Sequence, residues 1–378
     1  MNKRILIAPN SFKECADSVT LSELIFENLA NLPNFELTKK PISDGGDGFL
    51  NVCKFHFGGE LKNYKISTPY DNSIMECSVL YVPETGSIFI ESAEILGLKV
   101  VPKNFRKPLF LSSKGIGELL LKICDDVKTG KLLADKVYFG VGGTATIDMG
   151  LGMMNAMDLK LLNTDGNILP VLPDYFDEVK EIEWNKIDLP FDMIPIADVA
   201  NQLIGEEGGV MVFGKQKGAT IEELHKIESG FANIVNLLKN KRLINSLEFL
   251  SGAGGGIPAS FQIFFDSYCE SSYEFILNDL KLADRFNKFD YLITGEGAFD
   301  RQTLFGKGAG LLSMYYSNKV KKIFLICGRI DTEIKAFLPE NVVLVELLNY
   351  FENEEKSIQN YKFGIRKACE EIVKQIQF

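Results

Sequence analysis

The chain has 378 residues, of which 46% are hydrophobic and 24% are charged, and its formal net charge is −10. This length and composition indicate a folded protein of about two to three domains, and they exclude disordered and fibrous classes. The acidic balance argues against nucleic acid as a partner, because phosphate backbones are bound by an excess of Lys and Arg.

The N-terminal segment predicts a βαβα unit. Arg4–Ala8 is an apolar run typical of a strand, and a helix with a capping box at Thr20–Glu23 follows it. Phe35–Ile42 predicts a second strand and Asp47–Phe57 a second helix. This alternation is typical of an α/β protein with a largely parallel sheet.

The pattern changes in the next part of the chain. Residues 60–94 predict three short strands in an antiparallel meander, and Ser112–Lys128 predicts a helix. A strand over Lys136–Val141 and a helix after Thr146 follow. Residues 163–190 are rich in Pro, Asp and Asn, so we expect long loops there.

From about residue 250 the α/β alternation resumes. Three strands and a final helix are predicted at Tyr291–Thr294, Ile323–Cys327, Val342–Leu347 and Ile358–Ile376. We therefore predict a Rossmann-like parallel-sheet domain formed by 1–60 and 250–378. It is interrupted by a second α/β domain, 61–249, with a mixed or antiparallel sheet.

The spacing of the cysteines and the length of the apolar runs bear on the cellular compartment of the protein. Seven cysteines occur without a C-x-x-C pair, which suits reduced thiols and gives no support for a zinc knuckle. The apolar run Ile5–Ala8 is too short for a signal peptide, and no run approaches the roughly 18 residues of a membrane span. We expect a soluble, cytoplasmic protein without a membrane partner.

The two histidines, His56 and His225, limit the available chemistry. A multi-histidine metal site is nearly excluded, and a Ser-His-Asp triad would need one of them. Both fall within predicted helices rather than loops. Proton transfer and metal binding are therefore expected to rest on carboxylates.

Four glycine-rich segments are predicted to connect a strand to a helix. Such turns lie at the carboxyl ends of strands, where free N–H groups favour phosphate or carboxylate, so the ligand is expected to be anionic. The segments are Asp44–Gly48, Gly140–Thr146, Gly252–Gly256 and Thr294–Asp300.

Known anion-binding motifs match these segments only in part. The Walker pattern is absent, because no Gly-Lys pair is followed by Ser or Thr. Gly140–Ala145 satisfies the G-x-G-x-x-A dinucleotide pattern, and Asp165 lies about 20 residues beyond it. An NAD(P)-dependent oxidoreductase of a small hydroxy acid is therefore one alternative.

Charged residues in or beside the glycine-rich segments favour phosphoryl transfer. That chemistry needs cations on the phosphates, Mg²⁺ held by carboxylates, and one carboxylate to accept the proton of the acceptor hydroxyl. The lysines and carboxylates at these places are Lys13, Lys215, Lys217, Lys307, Asp44, Asp148, Asp198, Glu296 and Asp300.

The glycine-rich segments belong to a longer series of motifs. The series consists of Ile7–Lys13, Ser43–Gly48, Gly115–Glu118, Gly142–Asp148, Phe213–Ala219, Gly252–Gly256 and Thr294–Thr303 with Gly306-Lys307. In order and spacing it resembles the type 1 glycerate kinase family. The resemblance implies a two-domain α/β kinase that uses ATP and Mg²⁺ to phosphorylate D-glycerate, in many members at the 2-hydroxyl.

The chain departs from the family pattern at several positions. They are Asn10 for Asp, Thr144 for Ser, Ile147 for Asn, Met149 for Gly, Gln202 for Pro and Ala298 for Arg. The arginine lost at Ala298 removes a possible phosphate contact, which leaves a non-catalytic sensor of organic acids as a further alternative. The candidate carboxylates, Lys13 and Lys307 are all retained.

Roles are assigned on this basis. Asp198 and Asp44 compete for the general base, with Asp198 preferred, and Lys13 acts on the phosphates. Glu296 and Asp300 are assigned to Mg²⁺. The remaining substrate and phosphate contacts are assigned to Ser11, Gly45, Gly46, Gly142, Gly143, Thr144, Thr146, Lys215, Lys217, Gly254, Gly255 and Lys307.

Overall fold

The computed structural model describes residues 2–13, 15–197, 201–244, 250–283, 288–299 and 308–377. The chain divides into a terminal unit, Met1–Phe57 with Ser272–Phe378, and an inserted unit, Gly58–Ser271. The domain bounds predicted from the sequence are 1–60 with 250–378 and 61–249. The inserted unit extends further along the chain than 249, because residues 250–271 pack within it.

The strands number fourteen in the described residues. In chain order they are β1 Lys3–Ile7, β2 Phe35–Lys39, β3 Glu60–Ser67, β4 Ile74–Val82, β5 Ser87–Glu91, β6 Lys136–Gly140, β7 Lys160–Leu162, β8 Ile168–Leu169, β9 Glu181–Glu183, β10 Asp192–Ala197, β11 Glu270–Ser271, β12 Tyr291–Phe299, β13 Lys322–Ile330 and β14 Val342–Glu346.

The helices lie between these strands. They are α1 Ser18–Leu29, α2 Phe49–Phe57, α3 Ala93–Leu96, α4 Lys114–Lys128, α5 Leu151–Ala156, α6 Gly209–Phe213, α7 Ile221–Asn240, α8 Ile257–Phe265, α9 Ser272–Glu274, α10 Gly308–Tyr316, α11 Glu354–Gln359 and α12 Tyr361–Gln377. His56 and His225 lie in α2 and α7, as predicted.

The terminal unit is built on a five-stranded sheet in the order β2-β1-β12-β13-β14, and every pairing is parallel. Numbered within the unit, this is the 2-1-3-4-5 order of a doubly wound fold. Alternate strand residues pack on opposite faces: Ile5 and Ile7 join the core under α1 and α12, while Leu325 packs with Ala309 of α10. The predicted Rossmann-like sheet is confirmed.

The first helix begins differently from the prediction. Asp17 is its N-cap and accepts a 2.7 Å hydrogen bond from the amide of Thr20, so Thr20–Glu23 lies inside the helix and the predicted capping box is wrong. A complete capping box occurs instead at the start of α7. There Thr220 and Glu223 each accept a hydrogen bond from the other's backbone amide.

The inserted unit contains a mixed six-stranded sheet, in the order β11-β10-β6-β5-β4-β3. The predicted meander over residues 60–94 is confirmed as β3, β4 and β5, but β5 also pairs in parallel with β6. The meander is thus one side of a larger, mostly parallel sheet, which agrees with the predicted mixed architecture. Residues 160–183 carry a small antiparallel sheet, β8-β7-β9, where long loops were expected.

In the described ranges, no helix has both the length and the apolar character needed to cross a membrane.

Candidate functional site

The terminal unit has its topological switch point between β1 and β12, because the chain leaves β1 toward β2 on one side and returns as β12 on the other. Ligands of open α/β sheets bind beside the carboxyl ends of the strands at such a point. Hydrogen bonds join the segment after β1 to β12: Asn10 N donates to Gly295 O at 2.9 Å, and Thr294 Oγ1 donates to Ala8 O at 2.8 Å.

The segment after β1 places two predicted site residues at this edge. Ser11 is half-buried and Lys13 is exposed, so the lysine side chain is accessible to a ligand. Asn10 is buried, and its side-chain oxygen accepts a 2.9 Å hydrogen bond from Ser11 N. An aspartate would supply the same acceptor, so the substitution of Asn10 for the family Asp preserves this turn.

Glu296 lies within a strand rather than in the predicted turn. β12 continues to Phe299, and Glu296 is paired with Cys327 of β13. The predicted strand-turn-helix layout of Thr294–Asp300 is therefore wrong over its described part. A Cβ atom on Gly295 would lie 2.2 Å from the carbonyl oxygen of Ile326, so close packing of the strands accounts for this glycine.

Glu296 is on a strand that runs beside the Lys13 segment, and its carboxylate is near a buried thiol. A Cβ atom on its neighbour Gly297 would lie 3.2 Å from Lys13 N, which places the Lys13 backbone next to this strand. Burial raises the pKa of the Cys327 thiol, and the negative charge of Glu296 raises it further. The strand edge thus combines one lysine and one half-buried carboxylate.

The Asp44–Gly48 segment has the predicted layout, since it follows β2 and leads into α2. Asp44 Oδ1 accepts a 3.1 Å hydrogen bond from Gly46 N, and Ser43 Oγ accepts one of 3.2 Å from Gly45 N. The half-buried carboxylate of Asp44 is therefore held in a tight Asx turn at the carboxyl end of β2.

In the inserted unit, the turn after β6 is bounded by neighbouring parallel strand ends. Gly140 is in register with Glu91 of β5 and with Ile196 of β10. Ser92 directly follows β5, is fully buried, and donates from its hydroxyl to Gly142 O at 2.9 Å. Ser92 is not among the site residues predicted above, although a polar residue directly after a buried strand is a usable signal.

The Gly142–Thr146 turn offers polar groups without protein partners. Within the described residues, the amides of Gly142 and Gly143 have no hydrogen-bond acceptor, and the buried Thr146 hydroxyl has no partner. Gly143 is exposed and has φ of 75°, a conformation that glycine adopts at little cost. Free amides in such a turn are suited to an anion.

The two lysines of the Phe213–Ala219 motif differ in environment. Lys215 is exposed, whereas Lys217 is buried and donates from Nζ to Thr144 Oγ1 at 3.0 Å and to Thr146 O at 2.9 Å. Burial lowers the pKa of Lys217 to about 7, and the nearby charge of Asp148 opposes that shift. The structure therefore brings Lys217 to the inner side of the turn.

Asp148 is fully buried and serves as an acceptor for two helix starts. Its Oδ2 accepts from Ser113 N at 2.6 Å, from Ser113 Oγ at 2.7 Å and from Gly152 N at 3.2 Å, while Oδ1 accepts from Gly150 N at 3.1 Å. Burial raises its pKa, and these hydrogen bonds lower it. The contacts connect the starts of α4 and α5, so Asp148 has a structural role: it holds these two helix starts together.

The Gly252–Gly256 segment packs behind the same turn and does not follow a strand; only an isolated bridge at Ser251 precedes it. The predicted strand-to-helix layout is wrong here. A Cβ atom added at Gly254 would lie 2.3 Å from Val141 Cγ1, and one added at Gly255 would lie 2.1 Å from Thr146 O. Both glycines are thus required by close packing against the turn.

The dinucleotide pattern lacks its acidic partner. Asp165 lies in the exposed turn between β7 and β8, where its amide donates to Asn163 Oδ1 at 3.0 Å. It is not at a strand end near Gly140–Ala145. The oxidoreductase alternative therefore loses the feature that would recognise a ribose.

Comparison with known proteins identifies the family. Residues 5–377 match the model of the glycerate kinase family. This chain belongs to the glycerate kinase family. It is 30% identical over 309 residues to a glycerate kinase from Halalkalibacterium halodurans, covering 80% of this chain and 79% of that protein. It is 29% identical over 310 residues to glycerate 2-kinase from Escherichia coli, and the match covers 80% of this chain and 79% of that protein.

The fold agrees with a solved structure described as glycerate kinase 2 from Salmonella typhimurium LT2. The TM-score is 0.75 at 24% identity, and the match covers 99% of this chain and 98% of that one. The sequence-based assignment to the family is confirmed, and as a glycerate kinase family member the protein is an ATP-dependent phosphotransferase.

Several site residues predicted from the glycerate kinase motifs lie outside the described residues. They are Asp198, Asp300 and Lys307. Within the described ranges, no group of three or more His, Cys, Asp or Glu side chains is placed to hold a metal ion. Mg²⁺ in kinases is held by one or two carboxylates together with substrate phosphates.

Proposed function

We propose that this protein transfers the γ-phosphoryl group of ATP to D-glycerate, at the 2-hydroxyl. The observation that carries the proposal is the switch-point edge of the terminal unit, where the segment after β1 that carries Lys13 runs beside the part of β12 that carries Glu296. A cation and a carboxylate at one edge suit a nucleotide phosphate with its Mg²⁺. Family membership and the glycerate 2-kinase relative support the substrate.

The phosphate and metal roles follow from the position of each group. We assign exposed Lys13 and half-buried Ser11 to phosphate contacts, and Glu296 with Asp300 to Mg²⁺. When bound, Mg²⁺ would neutralise charge on the transferring phosphates. The other contacts are assigned to Gly45, Gly46, Gly142, Gly143, Thr144, Thr146, Lys215, Gly254, Gly255 and Lys307, with Lys217 assigned below.

The general base is Asp198 or Asp44, with Asp198 preferred. In Asp44, Oδ1 already accepts from Gly46 N, and Oδ2 has no partner in the described part of the chain. One oxygen would therefore hold the turn while the other accepts the proton of the glycerate hydroxyl. Asp198 comes directly after β10, whose last residue, Ala197, is buried.

A coupled assay of ADP production tests the reaction, and variants of the two candidate residues decide which one is the general base. Turnover that depends on D-glycerate, ATP and Mg²⁺ is expected for the natural chain. Asp198→Asn should lower kcat by about 10²–10⁴-fold if Asp198 is the base, and Asp44→Asn should then have the smaller effect. A rate equal to that without glycerate would refute the activity and favour a sensor. Near-normal turnover of Asp198→Asn would transfer the role to Asp44.

A further inference from the structure

The ammonium group of Lys217 points into the fold. The residue is 5% exposed, and Nζ lies at hydrogen-bond distance from Thr144 Oγ1 and Thr146 O. A lysine that binds a ligand at the surface normally extends its charged end into water, as the exposed Lys215 does two residues earlier. Lys217 thus has the surroundings of a buried structural residue that hydrogen-bonds other parts of the protein.

Both contacts of Lys217 fall on the Gly142–Thr146 turn. The same turn is also held by Ser92 Oγ on Gly142 O, at 2.9 Å, and by the amide of Ala145, which donates to Leu96 O at 2.7 Å. Gly142 O, Thr144 Oγ1 and Thr146 O are therefore each engaged by a donor from within the fold. The amides of Gly142 and Gly143, which have no acceptor among the described residues, remain for a ligand.

A neighbouring carboxylate makes a charged Lys217 tolerable in this buried place. Asp148 lies close enough for its charge to favour the ammonium form. Its own oxygens are occupied by Ser113, Gly150 and Gly152, so Asp148 balances the charge of Lys217 without replacing its contacts to the turn.

We propose that Lys217 is a positioning residue. From behind the Gly142–Thr146 turn it fixes the amides of Gly142 and Gly143 for an anionic group of one substrate, and it does not contact that group itself. The inference rests on the proposed function, which supplies the anion. It changes the role expected of Lys217 from phosphate ligand to support of the phosphate-binding turn.

Hydrogen exchange tests the structural half of the proposal without reference to activity. In the full chain, Lys217→Met should speed amide exchange in peptides covering 141–147, with peptides from the core strand β5 unchanged. Gln216→Met, an exposed change on the same motif, is the control and should leave both sets unchanged. Equal exchange of 141–147 in Lys217→Met and the natural chain would overturn the proposal.

Steady-state kinetics test the functional half. Loss of a preorganised anion contact should raise the KM of one substrate, ATP or D-glycerate, by about tenfold or more. A general loss of folded protein would lower kcat and leave both KM values unchanged, which would refute the positioning role.

A second variant covers the case in which Lys217→Met does not fold. Thr144→Val removes one acceptor of Lys217 while keeping its charge, and it should raise the same KM and speed exchange of the same peptides. In a double-mutant cycle the two changes should be less than additive, whereas full additivity would contradict a shared contact. A natural chain that turns over no glycerate would refute the proposed function, and the exchange experiment would still decide the role of Lys217.

Discussion

The amide of Asn10 donates a 2.9 Å hydrogen bond to the carbonyl oxygen of Gly295, and this contact joins the segment after β1 to β12 at the switch point of the terminal unit. It brings the segment that carries Lys13 beside the strand that carries Glu296. The sequence distance between them is large, so only the parallel pairing of β1 with β12 makes them neighbours.

Substitution of Glu296 should weaken the response to Mg²⁺. Glu296→Gln keeps the shape of the side chain and removes its charge, so the Mg²⁺ concentration for half-maximal turnover should rise by about tenfold or more. Glu346→Gln on β14, which is separated from β12 by β13, is a control for charge alone. A Mg²⁺ titration of the coupled assay measures both, and identical curves for Glu296→Gln and the natural chain would remove Glu296 from the metal role.

A methyl group at Gly255 should disturb the Gly142–Thr146 turn. The added Cβ would lie 2.1 Å from Thr146 O, and φ is 77°, so we expect a loss of about 2–4 kcal/mol in the free energy of unfolding. Gly130→Ala is a matched control, because its φ is 75° and no heavy atom lies within 4 Å of the added carbon.

The control isolates backbone strain, which costs about 1–2 kcal/mol by itself. Urea unfolding measures both variants. Equal losses for Gly255→Ala and Gly130→Ala would show that packing against Thr146 contributes nothing.

Replacement of the Asp148 carboxylate should be severe. Asn keeps one acceptor oxygen, but its NH₂ group would face one or more of the N–H donors of Ser113, Gly150 and Gly152. We expect Asp148→Asn to lower the free energy of unfolding by about 3–5 kcal/mol, with Asp165→Asn in an exposed turn as the neutral control. Thermal and urea midpoints measure this, and a loss as small as that of the control would contradict the assigned structural role.

Stability should depend on pH through Lys217. Its pKa is about 7 in the folded chain and 10.5 in the reference state, so between these values the unfolded chain binds more protons. The contribution of Lys217 to stability then rises with pH across that window, and the full cost of burying its charge is present below pH 7. The difference in unfolding midpoint between the natural chain and Lys217→Met should shift in favour of the natural chain from pH 7 to pH 10. A difference independent of pH would contradict the burial of a titrating amine.

Local patterns predicted most of the elements, and tertiary packing accounts for what they missed. The apolar run at Tyr291 predicted a strand end at Thr294, because Gly295 and Gly297 are typical of a turn, yet both lie inside β12. Glycine is needed at position 295 since the carbonyl of Ile326 approaches there, and a sequence pattern does not contain that contact.

The candidate site was predictable by residue type and less so by role. The position of Lys13 and Asp44 after parallel strands placed them at a sheet edge, as found. Lys215 and Lys217 look alike in sequence, but one is exposed and the other is buried against Thr144 and Thr146. Burial at that position depends on long-range packing around the turn, which spacing alone does not show.

The central claim is phosphorylation of D-glycerate, and identification of the product tests it most directly. The chain would be incubated with ATP, Mg²⁺ and D-glycerate, and the phosphorylated product examined by ³¹P and ¹³C NMR. We predict a single new phosphomonoester on carbon 2, with none formed when D-glycerate is omitted. A phosphomonoester on carbon 3 would contradict the assigned hydroxyl, and the absence of any new ester would contradict the proposed function.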